Sequence, residues 1–244
     1  MFQRFFEEGL AQASFLIGCE RTKKAIVIDP RRDASIYTAA AAQAGATIVA
    51  AIETHVHADF VSGARELAAK GADVFAGPRS GLEFPHRTVQ DGETLRFGDL
   101  TITGLHTPGH TPEHICVLVT DRTRADEPWF VLTGHTLMVG DLGRTELAVS
   151  AEEGARQLFR SARKLKALPD DVEVMPGAYA GSVCGRRLSG KPWSTIGFEK
   201  RHNEAFMIED EAAFVGFMVA EIPPAPPEAK RIRAANSGIA AAAA

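Results

Sequence analysis

Short apolar runs of strand length alternate along the chain with stretches that are prone to form helices. The apolar runs predict strands over residues 13–18, 25–29, 47–53, 74–77, 114–120, 129–134 and 172–176, and a hairpin over 95–105. The other stretches predict helices over residues 34–44, 62–70 and 150–168. Ser62 and Ser150 are the expected N-terminal caps of the last two helices. Because strands and helices interleave, we predict one α/β domain over residues 1–221.

Polar residues that can bind a metal follow directly after a buried-looking strand. The run 47–53 is apolar throughout, which indicates a strand covered on both faces. The loop that leaves it contains His55, His57 and Asp59. Neutral imidazole and carboxylate are good ligands for zinc or iron. Residues two apart on an extended segment share a side, so we expect His55 and His57 to face one ion.

Three later loops have the same position after an apolar strand. The first, Thr107 to Pro112, presents His110 between turn-forming prolines and a glycine. The second places His135 after Gly134, and the third, residues 175–182, offers Tyr179 as its one large polar side chain. His106 and His114 lie near His110 but outside its turn, so they are expected to have structural or surface roles.

Composition excludes several classes of function. The formal net charge of −4 gives no basic footprint for a nucleic acid. An apolar run of about 18 residues is missing, so no membrane span is predicted. The N-terminus lacks the apolar core of a signal peptide, and the cysteines Cys19, Cys116 and Cys184 are widely spaced. We therefore expect packed thiols in a cytoplasmic protein.

The end of the chain differs from the rest in composition. Residues 222–228 are rich in proline, and basic residues and an alanine run to Ala244 follow. We predict a tail over residues 222–244 that has no core-forming pattern. The sequence leaves open whether this tail wraps the domain, joins a partner or stays mobile.

Together these motifs resemble those of a known family. His-x-His-x-Asp, then Thr-Pro-Gly-His, then Thr-Gly-[acid] and a proline-containing fourth loop form the motif series of the metallo-β-lactamase fold, over roughly residues 5–205. Within that fold the chain is most similar to the persulfide dioxygenases, which are sisters of the glyoxalase II hydrolases. Supporting stretches are residues 28–31, 139–144, 181–185 and 194–197. The resemblance implies an αββα sandwich of two mixed sheets with outer helices, and a site at one sheet edge.

Two departures from the family pattern predict a single metal ion. The resemblance implies that hydrolases bind a first zinc through matches to His55, His57 and His110. Their second zinc uses matches to Asp59, the next residue and a fourth-loop histidine, and an aspartate at the acid station bridges the two ions. Here Phe60 and Ala178 occupy the last two positions, and neither side chain can coordinate a cation. Persulfide dioxygenases resemble this arrangement, because they hold one Fe(II) through matches to His55, His110 and the acid station.

The acid station itself carries His135 in place of an aspartate. The predicted metal ligands are therefore His55, His57, His110 and His135, for one Fe(II) or alternatively one Zn(II). Asp141 is an alternative carboxylate ligand six residues further on. His57 and Asp59 are predicted catalytic residues, either as ligands or as groups that orient ligands. Arg144 and Tyr179 are predicted to hold substrate, Arg144 alternatively bracing the metal loop.

Three functions follow from the resemblance as expectations. The first is a persulfide dioxygenase that takes a small thiol persulfide, such as glutathione persulfide, and O2 to sulfite. The second is a mononuclear zinc hydrolase of thioesters, and the third is a homologue that binds metal or thiol without turnover. The expected partners are the small substrate and O2, with no nucleic acid and no membrane, and with a possible homodimer.

Overall fold

A computed structural model of the 244-residue chain describes residues 1–222, 224–225 and 228–239. Its first half contains the strands β1 (Phe2–Glu7), β2 (Gln12–Cys19), β3 (Lys24–Ile28), β4 (Thr47–Ile52), β5 (Asp73–Ala76) and β6 (Arg87–Thr88). Two helices lie between them, α1 (Ser35–Gln43) and α2 (Ala64–Ala69).

The second half begins with strands and ends with helices. Its strands are β7 (Thr94–Phe97), β8 (Leu100–His106), β9 (Ile115–Asp121), β10 (Phe130–Gly134), β11 (Leu137–Met138), β12 (Asp141–Leu142), β13 (Glu173–Pro176) and β14 (Ser194–Thr195). Its helices are α3 (Ala151–Lys166), α4 (Ile196–His202), α5 (Glu204–Met207), α6 (Glu211–Ala220) and α7 (Ala229–Ser237).

Twelve of the strands form two six-stranded mixed sheets, and β11 and β12 pair as a separate two-stranded sheet. The first has the order β1-β2-β3-β4-β5-β6 and the second β14-β13-β10-β9-β8-β7. Strand β4 pairs in parallel with β3 and β5, and β10 pairs in parallel with β13. Parallel neighbours end at the same edge of a sheet, so the loop after β4 leaves one edge of the first sheet. In the second sheet the loops after β10 and β13 leave a common edge, as does the turn between β8 and β9.

Three apolar clusters define the layers. The central cluster lies between the sheets and takes residues from both, such as Ile28 and Ile52 from the first and Ile102 and Leu132 from the second. A second cluster packs α3 and α6 on the outside of the second sheet. A third packs α1 and α2 on the outside of the first sheet. The predicted αββα sandwich of two mixed sheets is confirmed.

Most predicted elements are present, with small differences at their ends. The strand predicted over 47–53 is β4, and the burial of Ala50, Ala51 and Ile52 confirms that both of its faces are covered at the end near the site. Ser150 caps α3 as predicted, its side chain accepting from the Glu153 amide. The cap predicted at Ser62 is wrong: α2 begins at Ala64 after Gly63, and the Ser62 hydroxyl instead donates to Glu53.

Within the described residues no helix combines the length and apolar character that crossing a bilayer requires.

The described part of the tail contains α7, which the sequence did not predict. The helix ends at Gly238, whose φ of +85° is the left-handed conformation that glycine adopts readily. Residues 228–239 of the tail contact the domain. Residues 240–244 lie outside the described part.

Candidate metal centre

His55 directly follows the buried end of β4 and has one ring nitrogen free for a ligand. The Thr54 hydroxyl lies 2.8 Å from a carboxylate oxygen of Asp29, to which it donates, and 3.0 Å from Nδ1 of His55. Because its proton goes to Asp29, the Thr54 oxygen accepts from Nδ1–H. The proton of the neutral ring is thereby fixed on Nδ1. Nε2 is buried without a hydrogen-bond partner among the described residues, which is the condition of an unused lone pair.

His110 is oriented by a bond of the same kind. Its Nδ1 donates to the Arg144 carbonyl oxygen at 2.8 Å, which leaves the lone pair on Nε2. The turn that presents it contains Gly109, whose φ is +143° and where a Cβ would lie 2.5 Å from the Cα of Leu158. Only glycine fits there, so α3 and the turn fix the position of His110.

His135 reaches the same point from the end of β10. Its backbone amide donates to Nε2 of His114 at 3.1 Å, and its own Nδ1 lies 3.3 Å from Nε2 of His110. His114 is fully buried, and its ring is stacked on the His55 ring with a centroid separation of 5.1 Å. These contacts fit the structural role expected for His114, because it connects the loop of His55 with that of His135.

Ring nitrogens of His55, His110 and His135 lie within 4.8 Å of one another. Two nitrogens that bind one zinc ion at about 2.0–2.1 Å lie roughly 3 Å apart, so the 3.3 Å pair fits a shared ion. Burial lowers the pKa of His110 to about 4 and that of His135 to about 3, and lowers that of His55 well below its usual value. All three rings are neutral at pH 7, which is the form that binds a metal.

The structure does not bring His57, a predicted ligand, into this group. Its Nε2 lies 3.1 Å from a carboxylate oxygen of Asp29 and 3.4 Å from one of Glu53, and Nδ1 lies 3.6 Å from Asp59. Burial lowers the pKa of His57, but the three carboxylates outweigh it and raise the pKa well above its usual value. These charges favour the protonated imidazole, which donates at both nitrogens.

Asp59 lies beside the three histidines in contact with a cysteine. The Cys184 thiol donates to Asp59 at 3.3 Å, and these two residues and His135 have ligand atoms within 4.8 Å of one another. Burial raises the pKa of Asp59, but the adjacent His57 ring and the other groups around it hold it well below its usual range. The sequence analysis treated Cys184 as a packed thiol, because nothing in its spacing connects it to Asp59.

Two other predicted residues are occupied by structural contacts. The buried Arg144 guanidinium binds Glu146 and the Val183 carbonyl, which fits the bracing role more than substrate binding. The Tyr179 hydroxyl donates to the Pro176 carbonyl at 3.0 Å, and its ring belongs to the core between the sheets. Neither side chain is therefore placed at the three histidines.

Asp141, Phe60 and Ala178 also have surroundings that do not place a further ligand at the three histidines. Asp141 accepts from the backbone amide and the guanidinium of Arg186, so it is not brought to the histidines as a substitute ligand. The Phe60 ring packs on the His57 ring at a centroid distance of 4.2 Å, and Ala178 is buried. Neither position therefore offers a metal ligand.

A cavity of about 460 Å³ reaches His55 and His57 from the side of α2. Its walls are mostly apolar, with Val61, Leu82 and Phe84 among them, and Arg32 and Arg65 stand at its exposed part. A cavity of this size holds a small organic molecule. It places a space for a ligand beside His55 and His57 that the sequence could not reveal.

Gly143→Ala is expected to disturb the centre from outside it. A Cβ at Gly143 would lie 2.0 Å from the His135 carbonyl oxygen and 3.2 Å from Nδ1 of His110. The backbone that carries both ligands must shift, so we expect unfolding to become easier by about 1–3 kcal/mol and metal affinity to fall. Urea unfolding and chelator competition measure the two effects.

Gly216→Ala is the matched control for this prediction. A Cβ there meets nothing within 4 Å, and the residue lies in the exposed part of α6. Alanine in a helix is expected to raise stability by up to about 1 kcal/mol and to leave metal binding unchanged. Equal effects of the two substitutions on metal affinity would contradict the role given to Gly143.

Several known proteins are similar to this chain. Residues 8–177 match the family model described as the metallo-beta-lactamase superfamily. The chain is 27% identical to the human mitochondrial persulfide dioxygenase ETHE1 over 72% of its own length, and 34% identical to the hydroxyacylglutathione hydrolase of Rhodospirillum rubrum over 67%. It spans 67% and 60% of the lengths of these two relatives.

A solved structure gives the same fold over nearly the whole chain. The crystal structure of ETHE1 from Myxococcus xanthus superposes with a TM-score of 0.85 at 29% sequence identity. The match covers 98% of this chain and 99% of that one.

Proposed function

The chain belongs to the metallo-β-lactamase superfamily, and we propose that it is a persulfide dioxygenase with one Fe(II) per chain. One thiol persulfide, one O2 and one water would give the free thiol, sulfite and two protons. The relatives named persulfide dioxygenase and hydroxyacylglutathione hydrolase leave both reactions available, so the choice rests on the site.

The observation that carries the proposal is which histidines converge. His55, His110 and His135 meet, whereas His57 turns to Asp29 and Glu53. By the resemblance, both enzyme classes have a ligand at the acid station, but the hydrolases also bind their first zinc through the match to His57, which the dioxygenases do not use. The placement of His57 apart from the converging histidines therefore supports the dioxygenase.

The surroundings of Asp59 support a single ion. The positions of two second-ion ligands are occupied by Phe60 and Ala178, which cannot coordinate. Among the described residues, the ligand set that contains Asp59 and Cys184 takes His135 as its third member. A second ion there would compete with the first for that histidine, which favours one ion held by His55, His110 and His135.

When bound, Fe(II) would supply the redox chemistry that combines O2 with the terminal sulfur of the persulfide. The residues of the chain orient the reactants and handle protons. Asp59 stays ionised and can orient water, while His57, enclosed by carboxylates, holds a proton beside it. The buried rings of His55 and His114 and the Phe60 ring limit the access of bulk water.

The cavity beside α2 provides the binding site for the rest of the substrate in this proposal. Arg65 packs its guanidinium over the Phe84 ring at 5.6 Å and makes no ion pair within the described residues. Arg32 likewise stands exposed at this cavity. Both cations are available for the carboxylates of an anionic thiol such as glutathione, a task that the sequence analysis gave to Arg144 and Tyr179.

Arg65→Ala is expected to raise the KM for glutathione persulfide by up to about fivefold, because an exposed ion pair contributes about 0.2–1 kcal/mol. The value of kcat is expected to stay unchanged, since the residue does not contact the histidines. Lys70→Ala removes an exposed charge near the end of α2, outside the cavity, and serves as the control. A KM that is the same in both variants would place the thiol elsewhere.

Oxygen uptake tests the function itself. The protein is loaded anaerobically with Fe(II), mixed with glutathione persulfide and exposed to O2, and both oxygen uptake and sulfite are measured. We expect one sulfite for each O2 consumed, and no uptake by zinc-loaded protein. A fully iron-loaded protein that consumes no oxygen with this substrate contradicts the proposal.

A zinc hydrolase of thioesters is the second candidate. It is favoured by the 34% identity to a hydroxyacylglutathione hydrolase and by the fact that three histidines are a common zinc set. Zinc-loaded protein would then hydrolyse a glutathione thioester, whereas the dioxygenase proposal expects no such hydrolysis. Measuring thioester loss with zinc-loaded and iron-loaded protein separates the two.

A further inference from the structure

Helix α7 of the tail lies against the loop that carries His55 and His57. Its residues Ala235, Asn236 and Ser237 are buried, and the Ser237 carbonyl accepts from the Glu83 amide at 2.8 Å. Ala235 and Asn236 also line the cavity that reaches the two histidines. The helix therefore contacts the centre from the outside, although none of its residues is a ligand.

One amide side chain binds this loop at three points. Asn236 Nδ2 donates to the His57 carbonyl at 2.9 Å and to the Phe60 carbonyl at 2.8 Å, and its Oδ1 accepts from the Ser62 amide at 2.9 Å. The loop between β4 and α2 has no regular secondary structure to satisfy these backbone groups. The Asn236 side chain supplies the hydrogen bonds that a neighbouring strand would give these backbone groups, and it thereby fixes the path of the loop.

A second side chain of α7 joins two of the ligand loops. Arg233 donates to the Val56 carbonyl at 2.8 Å and to Oε1 of Glu113 at 3.1 Å. That same carboxylate oxygen accepts from the Val56 amide at 3.0 Å, and Glu113 is 1% exposed. Glu113 lies three residues after His110 and Val56 follows His55, so this contact sets the distance between the two loops. A buried carboxylate needs an opposite charge, and the tail provides it.

We propose that α7 positions the metal centre, with Asn236 and Arg233 as its positioning residues. They hold the backbone of residues 56–62 so that Nε2 of His55 faces His110 and His135. Without them the loop can adopt other conformations, and part of the metal binding energy is spent on ordering it. This inference rests on the metal centre of the proposed function and not on which reaction occurs there.

Co(II) binding to the full chain tests this role, since its visible absorption reports the ligand geometry. Asn236→Ala is expected to weaken Co(II) binding by about 10–100-fold, the range for groups that orient ligands, and to change the absorption bands. Arg231→Ala is the matched control, because Arg231 is exposed on the same helix and pairs only with Glu228 in the ion pairs of the described residues. Its Co(II) affinity and spectrum are expected to equal those of the unmodified protein.

Arg233→Lys keeps the test decisive if Asn236→Ala does not fold. Lysine retains the charge beside Glu113 but lacks the two arms that bind Val56 and Glu113 together, so a smaller loss of about 3–10-fold is expected. Wild-type Co(II) affinity and spectrum in these variants would overturn the proposal. A loss of thermal stability that is equal in the metal-free and the Co(II)-loaded variants would point the same way. That result would show a structural contact only.

The two proposals fail in different ways. If the unmodified protein binds Co(II) but the iron-loaded form consumes no oxygen, the dioxygenase is contradicted and the comparison of the α7 variants still stands. If the unmodified protein binds no Co(II), both proposals are overturned, because the three histidines then do not form a metal centre.

Discussion

Replacing His135 with alanine is expected to abolish oxygen uptake and to weaken iron binding by more than about 100-fold. Loss of a group that merely orients a ligand costs about 10–100-fold in affinity, and His135 is itself one of three converging ligands. The small side chain also leaves Nε2 of His110 without its neighbour at 3.3 Å. Iron content after dialysis and oxygen uptake with glutathione persulfide measure the two effects.

His202→Ala is the control for the loss of a histidine. His202 is exposed at the end of α4, where its ring packs on Phe198, and it is expected to change neither iron content nor oxygen uptake. Iron retained at one ion per chain in the His135→Ala protein would show that His135 is not a ligand.

His135→Asp separates an active enzyme from a homologue without turnover. It restores the carboxylate that the dioxygenase pattern has at this position, so two histidines and one carboxylate would surround the ion. We expect the variant to retain Fe(II) and oxygen uptake. Activity that appears in the variant but is missing from the unmodified protein would identify the natural chain as a binder of metal or thiol.

Asp29→Ala is expected to destabilise the metal-free protein by about 3–5 kcal/mol, the cost of breaking a buried ion pair. The Asp29 carboxylate accepts from the Thr54 amide at 2.7 Å and from the Thr54 hydroxyl at 2.8 Å, and lies 3.1 Å from His57. Its removal leaves buried donors on Thr54 and His57 without this acceptor, and the proton on His55 is no longer fixed. Urea unfolding of metal-free protein measures the change.

Asp73→Ala is the matched control for this carboxylate. Asp73 is exposed at the start of β5 and makes no side-chain hydrogen bond within the described residues, so a change below about 0.5 kcal/mol is expected. A similar small change at Asp29 would mean that its contacts with Thr54 and His57 contribute little to stability.

The strands that carry the site could be predicted from the sequence because their apolar runs are continuous and end in turn residues. The runs 47–53 and 129–134 became β4 and β10, and their loops deliver His55 and His135. Strand β1 was missed because its exposed edge position gives it no buried face to recognise. Helix α7 was missed because it buries two alanines and the polar Asn236 and Ser237 in place of an apolar stripe, and its partners lie far away in the sequence.

The sequence also indicated where the metal ligands lie, but not how each ring is turned. The spacing of His55 and His57 suggested one shared ion. Asp29 and Glu53 converge on His57 only in the fold, where their carboxylates lie beside its ring. In the same way, Cys184 reaches Asp59 across 125 residues of chain.

The sequence by itself determined the fold, the order of the ligand loops and the apolar residues at Phe60 and Ala178, because these depend on local pattern and side-chain chemistry. The tertiary structure decided that His135 joins His55 and His110, that Arg144 and Tyr179 are occupied elsewhere, and that α7 holds the ligand loop. These features depend on hydrogen bonds and charges between distant segments, whose partners become neighbours only after the sheets have packed.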